Sequence, residues 1–137
     1  MTIVVVDASV VVKWFLPEAD SKNAERLLAS DKELHAPDLL RLEVANAFWK
    51  HVLQKTIDRT LWELARPKLE RSIGQWHESG PLLTEAGRLA CDAAHPIYDF
   101  VYLALAQRLG APFVTADRRF LAKAPMSEVI ALENWKP

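Results

Sequence analysis

The run Ile3-Val4-Val5-Val6 ending at once on Asp7 is the feature that most narrows the fold. β-Branched residues at every position of so short a stretch suit a strand buried on both faces, as in a parallel sheet covered by helices. A carboxylate at the end of such a strand is costly to take out of water without a partner, a cap or a metal. Something has to hold Asp7.

The alternation continues along the chain. In Ala8 to Pro17, Val10, Val11, Trp14 and Phe15 share one face at helical spacing, with Ser9 as cap and Pro17 as stop. A helix is expected over about Asp20 to Ala29, then a brief strand from Glu33 to Pro37. Longer helices follow from about Asp38 to Lys55 and from Asp58 to Ile73. The second should kink or split at Pro67, which lacks an N–H and crowds the preceding turn. Gln75 to Ser79 is a weak strand candidate, Leu82 to Ala94 reads as helix, and Ile97 to Gly110 as a strongly apolar helix with Gly110 at its C′ position. Phe113 to Ala116 and Glu128 to Glu133 supply the last strands, the final one at an edge. Strands alternating with helices predict one α/β domain over residues 1–137, a three-layer α/β/α sandwich with a mostly parallel central sheet.

Composition restricts the function classes. At 137 residues and 50% hydrophobic, the chain can bury one core. A net charge of -1 argues against a protein that grips nucleic acid through its overall field, so any such contact has to be local. The single cysteine, Cys91, cannot close an internal disulfide, which fits a reducing compartment. No stretch reads as a secretion signal or a membrane span. The expectation is a soluble, cytoplasmic protein without membrane contact.

Open parallel sheets form their sites outside the carboxyl ends of the strands. Asp7 ends the first strand and Asp117 follows a later one, so both belong to that rim. Two further acids are misplaced for purely structural helices: Glu43 shares a helical stripe with Leu39, Leu40 and Ala47, and Asp99 is embedded in IYDFVYLALA. Singly, each has a plainer use. Asp7 and Asp117 can cap helices, Asp99 can sit in a first turn favoured by the macrodipole, and Glu43 can pair with Arg41 or Lys50 or face water. Acids in four separate segments, each beside buried sequence, are more than those uses explain.

Two carboxylates about 4 Å apart repel by roughly 4 kcal/mol at an effective dielectric near 20, so such a cluster must protonate or bind a cation. All-oxygen ligation favours Mg²⁺ or Mn²⁺. The histidines His35, His51, His77 and His95 are scattered, and the lack of a His/Cys cluster disfavours zinc. A carboxylate-held Mg²⁺ keeps positions for water and a phosphate oxygen, which makes phosphodiester hydrolysis the natural chemistry. Ser9 and Thr115 stand two residues from Asp7 and Asp117, placed to support a ligand carboxylate, its water or a phosphate.

The segments VVDASVVVKWF, LLRLEVANAF, IYDFVYLALA and FVTADRRF resemble, in order and spacing, the four blocks of the PIN domain, above all the VapC-like toxin ribonucleases of prokaryotic toxin–antitoxin pairs. The resemblance runs from Asp7 to Asp117. It implies a Mg²⁺- or Mn²⁺-dependent endoribonuclease with Asp7, Glu43, Asp99 and Asp117 as the catalytic set, Asp7, Asp99 and Asp117 as metal ligands, and Ser9 and Thr115 in support. It further implies an RNA substrate, a homodimer, and a small antitoxin laid across the groove. Trp14, Phe15 and Leu16 offer that antitoxin an apolar landing site, and Lys13, Arg41, Arg118 and Arg119 are candidate contacts for RNA or partner. Pro67 lies in the helix pair that forms the clip over the groove, leaving the clip's shape open.

Two other enzyme classes fit less well. A phosphotransferase of the haloacid-dehalogenase type wants a second Asp where Ser9 stands, and a phosphoreceiver wants paired acids before Asp7. The non-enzymatic alternative is a binding module whose acidic pocket docks a basic peptide.

Overall fold

The computed structural model describes residues 2–137, and β1 spans Ile3–Val6, where the β-branched run places it. The other strands are β2 (Glu33–Pro37), β3 (Gln75–His77), β4 (Phe113–Thr115) and β5 (Val129–Ala131). Seven α-helices accompany them among the described residues: α1 (Ala8–Val11), α2 (Ser21–Leu28), α3 (Leu39–Leu53), α4 (Thr60–Ser72), α5 (Leu83–Ala93), α6 (Ile97–Leu109) and α7 (Arg118–Lys123). Every strand pair is parallel, in the order β3-β2-β1-β4-β5. Helices cover the sheet in a three-layer α/β/α arrangement.

The strand order positions the site. The chain winds outward from β1 through β2 to β3, then returns to the other side of β1 for β4 and β5. The direction of winding reverses between β1 and β4, and the crevice at such a reversal lies beyond their carboxyl ends. Asp7 follows β1 there, and Ala116 and Asp117 follow β4.

Burial explains why α6 is apolar all round. Every residue from Phe100 to Ala106 is buried, because α6 crosses β1, β2 and β4 while α5 packs on it. Full burial of one of its Leu or Phe side chains stabilises the fold by about 1.5–3 kcal/mol. Tyr102 stacks on Phe113 of β4, ring centroids 5.7 Å apart. Gly110 ends α6 at φ 62°, the left-handed C′ position that glycine adopts without a Cβ penalty.

Three local expectations need correction. Asp7, not Ser9, caps α1, and that helix tightens into a 3₁₀ turn over Val12–Trp14. α4 is not split at Pro67: the proline lies on the exposed face of the helix, where the carbonyl it leaves without a partner is open to water. The histidines are less scattered than their spacing implies. His35 Nδ1 and His77 Nε2 meet at 2.9 Å across β2 and β3, so one ring donates and the other accepts.

Candidate active site

Asp7 is 3% exposed, and each of its oxygens is engaged. Oδ1 accepts from Ser9 Oγ at 2.6 Å and from the Val10 N–H at 3.3 Å, and Oδ2 accepts from Thr115 Oγ1 at 2.6 Å. Both hydroxyls are themselves anchored to the β4 end. Ser9 Oγ accepts from the Ala116 N–H at 2.8 Å, and Thr115 Oγ1 accepts from the Asp117 N–H at 3.1 Å. Asp117 Oδ1 caps α7 by accepting from the Arg119 and Phe120 N–H groups at 3.0 and 3.1 Å. The plain structural uses of Asp7 and Asp117 are therefore real, and they coexist with a shared crevice.

The remaining acids approach on α3 and α6. Glu43 Oε1 accepts from the Tyr102 hydroxyl at 2.5 Å, and Asp99 Oδ2 accepts from His95 Nε2–H at 2.8 Å. Burial pushes the Asp7 carboxyl up to about 7 against the pull of Ser9 and Thr115, and the charges of Asp99 and Glu43 push it further the same way. Glu43 is raised by burial, then by Asp99 and Asp117, with Tyr102 opposing. Asp99 is raised by burial and by Asp117, with His95 opposing. Burial likewise lifts the Tyr102 phenol, with Glu43 beside it, so its proton stays on as a donor. Asp7, Glu43 and Asp99 thus each feel at least one other acid of the set, and among the described residues no Lys or Arg forms an ion pair with any of the four.

The donor set is all oxygen, as a hard divalent cation requires, and no Lys or Arg among the described residues is paired with it. As placed, no three Asp, Glu, His or Cys side chains among the described residues stand together at metal-ligand spacing. Mg²⁺ keeps several waters in its shell, so these carboxylates need not all touch it directly. The residues fit such an ion.

Tyr102 and His95 escaped the sequence reading, although signals for both exist. A tyrosine in a helix buried on every side must find a polar partner, and His95 stands four residues before Asp99, one helical turn away. The candidate contacts divide. Lys13 is tied to the Ala19 carbonyl at 2.8 Å and to Glu18 at 3.3 Å, and Arg41 makes a two-point pair with Glu70 while lying 3.9 Å from the Trp76 ring centroid. Trp14 and Leu16 belong to the core, Trp14 with its indole N–H on the Ala24 carbonyl, and Phe15 is half-buried, so the expected landing site has little apolar surface to offer. Arg118 and Arg119 are exposed, flanking the crevice beside Asp117.

Comparison with known proteins gives a consistent picture. A family model described as PIN domain matches residues 4–125. A Pyrobaculum aerophilum protein named Ribonuclease VapC3 is 33% identical over 129 residues, covering 88% of this chain and 94% of that protein. The crystal structure of PAE2754 from Pyrobaculum aerophilum superposes with a TM-score of 0.74 at 26% identity, over 96% of this chain and 85% of that one. A toxin–antitoxin complex from Klebsiella pneumoniae, at 18% identity, has the same fold, with a TM-score of 0.67 over 94% of this chain and 97% of that one.

Proposed function

The chain belongs to the PIN-domain family, and from that premise we propose that it is a divalent-metal-dependent endoribonuclease, the toxin of a toxin–antitoxin pair. The observation that supports the reading is that the charges of Asp99, Glu43 and Asp117 press on one another and on Asp7 beside the β1/β4 reversal, with no Lys or Arg among the described residues paired to any of the four acids. Asp7, Asp99 and Asp117 would hold Mg²⁺ or Mn²⁺. When bound, such an ion polarises a phosphate and lowers the pKa of an attacking water.

The chain's own groups have separable tasks. Ser9 and Thr115 fix both oxygens of Asp7, so the carboxylate enters the crevice in one orientation. Tyr102 holds Glu43 Oε1 and leaves Oε2 as the oxygen that takes a proton from the attacking water. His95 orients Asp99 in the same manner. Hydrolysis on this scheme leaves 3′-hydroxyl and 5′-phosphate ends. A small antitoxin as inhibitor is supported by the kinship with the VapC ribonuclease, and a homodimer and a cytoplasmic location complete the proposal. No helix among the described residues is long and apolar enough to cross a membrane.

The test is to incubate the purified, partner-free protein with total RNA with and without Mg²⁺ and to map the cut ends. Cleavage should stop with EDTA, return with Mg²⁺ or Mn²⁺, and be abolished in Asp99→Asn. Metal-independent cutting would refute the chemistry. Tight binding of a basic peptide with no cutting under any metal would instead favour a docking module.

A further inference from the structure

A cavity of about 120 Å³ lies beside the end of β4, lined by Ala116 and Arg118 on either side of Asp117 in the chain. Thr115, which hydrogen-bonds Asp7, and Arg118, which directly follows Asp117, both line it. So do Lys13, Asp20 and Glu133, over an apolar floor of Leu121 and Leu132. Lys13 bonds the Ala19 carbonyl and so fixes the loop that forms one wall. The other charged groups are uncommitted: among the described residues Arg118, Asp20 and Glu133 make no ion pair and no side-chain hydrogen bond. The volume is on the scale of one flat ring system and too little for a helix or a strand.

Resting on the ribonuclease reading above, we propose that this cavity is a subsite for one unstacked guanine of single-stranded RNA, next to the cleaved phosphate. The chemistry of the lining selects the base. A carboxylate accepts two hydrogen bonds side by side, which matches the adjacent N1–H and amino group on the pairing edge of guanine. An arginine fork donates two, which matches guanine O6 and N7. Adenine, cytosine and uracil can meet these groups through single bonds, but none of them offers a two-point contact to both. Single-stranded RNA is read in this way, by splaying out a base and bonding its edges. The apolar floor supplies the face contact.

The test needs no cleavage. The wild-type protein is titrated with 5′-GMP, AMP, CMP and UMP, following the methyl resonances of Leu121 and Leu132. GMP should shift them with an affinity about tenfold higher than the other three, and Arg118→Ala and Glu133→Gln should each reduce that affinity by about tenfold. Equal affinity for all four nucleotides, or methyls that do not move, overturns the subsite. So does movement with an arginine-rich peptide but with no nucleotide, which would mark a peptide site. A second arm cuts single-stranded oligonucleotides that differ at one position; wild-type protein that cuts none of them refutes the ribonuclease reading, while the titration still judges the cavity. Cutting with the same kcat/KM whichever base flanks the scissile phosphate refutes the subsite alone.

Discussion

Asp7 is destabilising in its ionised form. Its carboxyl titrates at 3.8 when unexcited by structure and near 7 in the metal-free fold, so the native state binds the extra proton between those values. The stability this provides is complete below pH 3.8 and is lost as pH rises through 7, a loss on the order of 4 kcal/mol. Asp7→Asn has no such titration. In EDTA, its unfolding free energy measured by urea denaturation should gain on that of the wild type as pH rises from 4 to 7 and then hold level. A difference that stays flat would contradict a buried, cation-free carboxylate. Saturating Mg²⁺ at pH 8 should raise the wild-type melting temperature and leave that of Asp7→Asn nearly unchanged. Tyr102→Phe removes only the hydroxyl that holds Glu43. It should lower kcat about tenfold with KM unchanged and stability by about 1 kcal/mol, since one hydrogen bond to a charged group is lost in a volume otherwise kept. A fall in KM-dependent binding instead would mean that the hydroxyl touches substrate.

At the scale of elements, the joint between α5 and α6 carries strain that sequence alone does not reveal. Ala94, an exposed residue, closes α5 at φ 51°, a left-handed conformation costly for a residue with a Cβ. Ala94→Gly should therefore stabilise the protein by about 0.5–1 kcal/mol, read as a higher urea midpoint with an unchanged m value. Some elements were legible from local signals: β1 from its β-branched run, and α6 from its apolar length and the glycine after it. The finer features were not. Either Asp7 or Ser9 satisfies the rules for capping α1, and only the tertiary bonds from Thr115 and Ala116 decide between them. Pro67 looked like a break because a linear pattern does not say whether the freed carbonyl reaches water. Trp14 looked like surface because a short helix at a domain's rim does not disclose that α2 will cover it.

For the whole molecule, net charge sets how it can hold a polyanion. With a balance of -1, and with Lys13 and Arg41 occupied internally, Arg118 and Arg119 are the exposed cations beside the crevice. With Arg118 assigned to a base, the one phosphate contact left to Arg119 predicts a slope of about -0.7 in log affinity against log salt concentration, measured with the inactive Asp99→Asn protein by fluorescence anisotropy. A much steeper slope would place further basic residues on the RNA path. The four acids were legible as a group because each interrupted an apolar pattern. The cavity at the end of β4 was not, since its lining comes from the segment after α1, the end of β4, α7 and the turn after β5, which no local pattern joins. That dependence on distant segments has a bearing on synthesis. The hydroxyl on Asp7 Oδ2 comes from Thr115, 108 residues further on, and Asp117 lies beyond it. Domains fold as units while chains emerge amino end first, so a growing chain holds Asp7 long before it holds its counterparts. The crevice is therefore assembled only after the segment from Thr115 onward has left the exit tunnel.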